Sequence, residues 1–112
     1  MASTGHYLAT AAAVRLLEAG GNAFDAGVAG ALALNVVQPE FTNLGGVAPI
    51  ILYNARDNEV RTISGLGRWP KAISQQYVDT HWGDVMPAGI QRTVTPAAAD
   101  AWLTALRLYG TK

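Results

Sequence analysis

An α+β fold, with helices packed on a mainly antiparallel sheet, is predicted by three features of this 112-residue sequence. Two alanine-rich segments of helical period stand side by side at a Gly20-Gly21-Asn22 corner. Two β-type segments follow, one on each side of a polar turn. A last helical segment, opened by Thr95-Pro96, closes the chain. The order is helix, helix, strand, strand, short helix, helix. That suits helices covering a hairpin and does not suit the strand–helix alternation of a doubly wound sheet.

Residues 8–19 read as the first helix. Leu8, Ala12, Leu16 and Ala19 recur at helical spacing, with Arg15 and Glu18 on another face. Gly20-Gly21-Asn22 is the stop, because glycine reaches the left-handed conformation that ends a helix without a Cβ clash. The second helix is expected over residues 23–36 or 23–37. Asn22 is a good cap, and the Asp25 carboxylate suits the positive helix start. Its body is almost all small or apolar, which predicts burial on most faces. Gly27 and Gly30 each cost about 1 kcal/mol of helix propensity, tolerable where another backbone passes close by. Pro39 ends the segment.

Residues 40–46 read as a loop and residues 47–53 as a buried strand, with Pro49 near its start or on an edge. Residues 54–58 are a polar turn. Residues 59–64 alternate with period two, as a half-buried strand does. Residues 65–70 are irregular, and residues 74–82 form a short helix capped by Ser74. Residues 84–92 are loop. The closing helix takes Thr95 as its cap, Pro96 in its first turn and Gly110 as its stop. No repeat or linker divides the chain, so residues 1–112 read as a single piece without an internal boundary.

Composition narrows the function. Eight basic and eight acidic residues balance to zero net charge, and the basic ones are scattered. A nucleic-acid binder carries a basic patch or stripe, so no such partner is expected, nor an anionic membrane surface. The most apolar run, residues 23–37, is interrupted by Asp25, Gly27, Gly30 and Asn35 and falls short of the roughly 20 residues that span a bilayer. No membrane insertion is expected. Residues 1–6 do not read as a signal peptide, and the compartment stays open. Without cysteine there is no disulfide, thiolate site or Cys nucleophile. Hydrophobic residues make up 50% and charged residues 14%, against roughly 25% charged in an average globular chain. The sequence therefore reads as part of a larger core, burying apolar surface against chain that lies elsewhere.

Few residues suggest chemistry. A serine-type triad needs a nucleophile, a base and an orienting acid. His6 and His81 are the only histidines, and no G-x-S-x-G elbow exists. His6 fits a strand end or a helix start, and His81 an exposed helix end. Glu40, Asp57, Asp79, His81 and Asp84 are too loosely spaced for a convincing metal site. Gly20-Gly21-Asn22 and Gly65-Leu66-Gly67 lack the spacing and context of a phosphate loop. Gly45 and Gly46 suit a tight backbone passage. Asn22 and Asp25 suit a helix cap and dipole partner. No metal and no cofactor is expected.

The motifs taken together resemble the γ-glutamyltranspeptidase family. Leu17-Glu18-Ala19-Gly20-Gly21-Asn22-Ala23-Phe24-Asp25-Ala26-Gly27-Val28-Ala29 is similar to its L-x-x-G-G-N-A-V-D-A-A-V-A segment. Ala31-Leu32-Ala33-Leu34-Asn35-Val36-Val37-Gln38-Pro39 matches A-L-A-L-x-V-V-x-P. Asn43-Leu44-Gly45-Gly46 is like its glycine-rich run. The stretch from Thr95-Pro96 to Tyr109-Gly110-Thr111 resembles its G-V-P-G helix closing on Y-G-T. Residues 3–8 resemble the opening S-x-H-P-L-A segment of the large subunit.

This resemblance implies an N-terminal nucleophile hydrolase with an αββα sandwich, cut by itself into a large and a small subunit. It implies that the present chain is the N-terminal part of the large subunit. Its partners would then be the remainder of that subunit and the small subunit. The first Thr of the small subunit would attack a γ-glutamyl or related acyl amide, its own amine serving as base. None of Thr4, Thr10, Thr42, Thr62, Thr80, Thr93, Thr95, Thr104 or Thr111 lies in that motif, so no catalytic residue is assigned here. In transpeptidases the Arg of R-E-x-A-P grips the substrate carboxylate. The matching stretch here is Gly65-Leu66-Gly67-Arg68-Trp69-Pro70. Its Arg stands two residues before the Pro rather than four, and the Glu is missing, as in the G-x-G-R-x-P variant of related acylases and amidohydrolases. Arg68 is the one candidate for substrate contact, since a guanidinium fork suits a carboxylate. The alternative for Arg68 is a structural ion pair or a stack on Trp69. Two other readings of the chain are a non-catalytic interaction module and a small hydrolase using His81 with Asp79 or Asp84.

Overall fold

The computed structural model describes residues 1–112. Helix α1 spans Tyr7–Glu18 and α2 spans Ala23–Val37. Strands β1 (Ile50–Asn54) and β2 (Glu59–Ile63) follow, then α3 (Gln75–His81) and α4 (Ala98–Tyr109). The structure is thus an α+β fragment of four helices and a two-stranded antiparallel sheet.

The corner between α1 and α2 is built as its sequence suggests. His6 caps α1, its Nδ1 accepting from the Leu8 amide at 3.2 Å. At the other end Gly20 takes φ +83°. The Gly20 amide donates to the Leu17 carbonyl and the Gly21 amide to the Leu16 carbonyl. This paired pattern closes a helix whose next residue is left-handed. Asn22 and Asp25 then form a reciprocal cap. The Asn22 side chain accepts from the Phe24 and Asp25 amides, and Asp25 accepts from the Asn22 amide at 2.8 Å.

Helices α1 and α2 pack through Ala9, Ala13 and Gly30, all buried. A Cβ on Gly30 would stand 3.5 Å from the Ala13 Cβ and 3.6 Å from the Ala9 carbonyl oxygen. The close approach expected there is present. Gly27 differs: a Cβ there would meet nothing within 4 Å. Nor is α2 buried on most faces. Ala26, Val28 and Gly30 are buried, whereas Gly27, Leu32 and Val36 are exposed. Its small side chains leave flanks that no part of this chain covers.

The core joins α2 to α4 and the inner face of the hairpin. Val28, Ala98, Trp102 and Ala105 form it, with Ala48, Ile50 and Ile63 packed against them. In the hairpin Leu52 lies opposite Arg61 and Tyr53 opposite Val60. Leu52 is buried, but Ile51, Tyr53 and Val60 on the other face are 79%, 56% and 68% exposed. Strand β1 starts later than expected, after Pro49, which donates no ladder hydrogen bond. Its turn uses Asn58 at φ 55°, a conformation asparagine tolerates.

Helix α3 begins at its expected cap, with Ser74 Oγ accepting from the Tyr77 amide at 3.1 Å. The loop that follows contains a 3₁₀ turn, Ile90–Arg92. Helix α4 corrects one expectation. Its cap position is Ala97, with no side-chain capping bond, and Pro96 lies before the helix. The Ala97 and Ala98 amides donate instead to the Gly46 carbonyl, at 3.2 and 3.1 Å. Thr95 is free to bond elsewhere. No helix is long and apolar enough to cross a membrane.

Candidate functional site

Arg68 stands on the exposed loop between β2 and α3. Two glycines hold the base of this loop tightly. Gly65 takes φ +53°, and its amide plane carries the carbonyl that accepts from the Ala48 amide at 2.9 Å. A Cβ on Gly65 would run into the Ala48 carbonyl, and one on Gly67 into the Thr95 carbonyl. The segment before Arg68 is therefore wedged between the lead-in to β1 and the lead-in to α4. At Arg68 itself the carbonyl receives two bonds from a single residue. The Thr95 amide and the Thr95 hydroxyl both donate to it at 3.0 Å.

The guanidinium is not used by this chain. Both ion pairs belong to Arg61, which bonds Asp57 at 3.0 Å and Glu59 at 2.8 Å. Arg68 does not stack on Trp69 either: the arginine that lies over an aromatic ring is Arg61, 6.0 Å from the Tyr109 centroid. Arg15, Arg56 and Arg107 are likewise free of carboxylates, so freedom alone does not single Arg68 out. Nor does fixed backbone, for Arg15 and Arg107 stand on α1 and α4; what sets Arg68 apart is its place in the Gly65-Leu66-Gly67-Arg68-Trp69-Pro70 stretch, on a loop tied to the start of α4.

The other candidates fall into structural places. Asp25 is 3% exposed and joins two ends of the fold. Beyond its bond to Asn22 it accepts from the Thr111 amide at 3.1 Å, the Thr111 hydroxyl at 2.8 Å and the Lys112 amide at 3.3 Å. Asn22 donates to the Tyr109 carbonyl at 2.6 Å. The Asn22 amide, chiefly, and the Thr111 and Lys112 donors hold the Asp25 carboxyl below its ordinary value of 3.8, against the opposing effect of burial. His81 Nδ1 contacts the Tyr77 carbonyl at 3.0 Å, and Asp79 accepts from Gln75 at 2.8 Å. No three His, Asp or Glu side chains gather at ligand spacing, so Asp79, His81 and Asp84 do not form a triplet. A Cβ on Gly45 or Gly46 would meet Asn43, while the Gly46 carbonyl reaches the Ala97 and Ala98 amides at the start of α4.

An apolar groove of about 410 Å³ runs between α2 and β1, lined by Phe24, Gly27, Val28, Ile51, Tyr53 and Trp102 among others. Arg68 is not among its lining residues. Sequence reasoning found Arg68 but not the role of Gly67 and Thr95. The Gly65-Leu66-Gly67 spacing marks Arg68 through the G-x-G-R-x-P resemblance but does not reveal how closely Gly67 meets Thr95. Thr95 was hidden by its good fit to a cap.

Residues 9–112 match the family model described as Gamma-glutamyltranspeptidase. The chain is 38% identical over 108 residues to the glutathione hydrolase-like YwrD proenzyme of Bacillus subtilis, covering 94% of this chain and 20% of that protein. It is 31% identical over 120 residues to the acylase ACY 1 proenzyme of a Pseudomonas species, covering 99% of this chain and 22% of that one. Among solved structures it superposes on the γ-glutamyltranspeptidase of Helicobacter pylori with a TM-score of 0.85 and 30% identity, over 100% of this chain and 33% of that one. The chain thus spans about a fifth of the length of these curated relatives.

Proposed function

Since the chain belongs to the γ-glutamyltranspeptidase family, we propose that it is the N-terminal portion of the large subunit of a self-cleaving N-terminal nucleophile hydrolase. The complete enzyme cleaves a γ-glutamyl or related acyl amide. Its nucleophile is the first Thr of a small subunit outside these residues, activated by its own α-amine. The αββα sandwich is completed by the rest of the enzyme, which covers the exposed face of Ile51, Tyr53 and Val60.

This portion contributes a substrate anchor. Arg68 binds the carboxylate of the acyl group through a paired, charge-assisted contact. That orients the amide carbonyl toward the nucleophile, and orientation is a large part of what such sites supply. The observation that carries the reading is the Arg68 loop: an unpaired guanidinium over a backbone held by Thr95. The departure from R-E-x-A-P favours an acylase-like or amidohydrolase-like specificity over a strict preference for glutathione.

The test uses the full-length protein. Arg68→Ala is expected to raise KM for acyl donors bearing a carboxylate by roughly 10- to 100-fold, the worth of a charged hydrogen-bonded contact. Self-cleavage is expected to stay intact. An unchanged KM overturns the anchor. A full-length protein that neither cuts itself nor turns over acyl amides overturns the enzymatic reading and favours an interaction module.

A further inference from the structure

We propose that Thr95 is a positioning residue for substrate binding, coupling the start of α4 to the Arg68 anchor through the Arg68 carbonyl; the proposal rests on the reading of Arg68 as the carboxylate contact. Thr95 looks like a helix cap and is not one. The amides it would have capped go to Gly46. Its hydroxyl is spent across the fold, beside its own amide, on one carbonyl 27 residues away in sequence.

Two bonds to one carbonyl oxygen fix the peptide plane that follows Arg68, not merely its place. Gly67 lies so close to the Thr95 carbonyl that no side chain fits. Backbone on both sides of the Arg68 Cα is thereby held, by contact before it and by hydrogen bonds after it. A long arginine side chain loses much conformational freedom when it binds. A fixed Cα–Cβ direction limits what remains to be lost, so the geometry lowers the entropic penalty of gripping a carboxylate. Valine at position 95 keeps the shape and the amide bond but removes the hydroxyl bond. Serine keeps both bonds.

Full-length enzyme carrying Thr95→Val, Thr95→Ser, Arg68→Ala or the Arg68→Ala/Thr95→Val pair would be assayed with two matched sets of p-nitroanilides. Glutaryl and γ-glutamyl anilides carry the carboxylate; butanoyl and 4-aminobutanoyl anilides lack it. Amide hydrogen exchange at residue 95 gives a readout independent of turnover. Thr95→Val is expected to raise KM for the acidic donors about three- to tenfold, the scale of one hydrogen bond. Its kcat should hold, as for loss of binding shared by ground and transition states. The neutral donors should be unaffected, and Thr95→Ser should behave as the parent. On the Arg68→Ala background the valine should add nothing, since its effect runs through Arg68. Exchange at residue 95 should quicken in Thr95→Val and recover in Thr95→Ser. If Arg68→Ala raises KM for acidic donors while Thr95→Val does not, or affects acidic and neutral donors alike, the positioning role is overturned and the anchor stands. If Arg68→Ala itself leaves discrimination unchanged, the anchor fails first, and the coupling with it. Unchanged exchange at residue 95 also overturns the coupling.

Discussion

The Asp25 corner and the Arg68 loop both hold a charged residue on fixed backbone, and they use it in opposite ways. Asp25 is enclosed and saturated: both oxygens accept from groups of the same chain. Arg68 is exposed, and only its carbonyl is bound. A charge whose bonding capacity is satisfied internally serves the scaffold. Arg68, with its head free, is left available to a group outside the chain, which is the role proposed for it. The contrast predicts that damage at the corner should appear in folding and damage at the loop in substrate affinity.

The largest effect expected at the corner is that of Asp25→Ala. It strips an acceptor from the Asn22, Thr111 and Lys112 donors together. It should sharply lower the melting temperature and yield of the full-length enzyme, with the surviving fraction keeping its KM. Arg68→Ala should do the reverse, with its affinity loss at an unchanged melting temperature. A KM change in the first, or a stability loss in the second, would break the contrast.

A smaller effect separates cap from charge. Asn22→Ala should cost about 0.5–2 kcal/mol of stability, as helix-cap removal commonly does, measured by denaturant unfolding, again with KM unmoved. The smallest is a pH dependence. The folded-state pKa of Asp25 lies below its ordinary 3.8. Between those two values the unfolded chain binds the extra proton, so stability falls as pH falls through that window. Its contribution is fully present at neutral pH. Thermal unfolding of Asp25→Asn should show a weaker loss of stability than the parent as the pH is lowered below 3.8.

Much of this was legible in the sequence, and for local reasons. The Gly20-Gly21-Asn22 corner, the Ser74 cap and the polar turn at residues 54–58 depend on residues close in sequence, so their chemistry can be read directly. The propensity cost of a helical glycine suggested a close approach at both Gly27 and Gly30, and the fold supplies it only at Gly30. What escaped was non-local. Thr95 fits a cap by every nearby signal, and only the fold brings it to the Arg68 carbonyl. Asp25 was read as a cap, but its bonds to Thr111 and Lys112 cross the whole chain. The expected burial of α2 failed on the flanks, where Gly27, Leu32 and Val36 are exposed and nothing in this chain covers them. Arg68 was visible only through its resemblance to a family pattern; its freedom from ion pairs required coordinates.

The most direct test concerns where the chemistry resides. The full-length protein would be treated with an electrophilic γ-glutamyl analogue and its peptides mapped by mass spectrometry. The label is expected on the N-terminal Thr of a second, self-generated polypeptide, with residues 1–112 unmodified. A label on a side chain within residues 1–112, or turnover by a single uncut chain, would contradict the account.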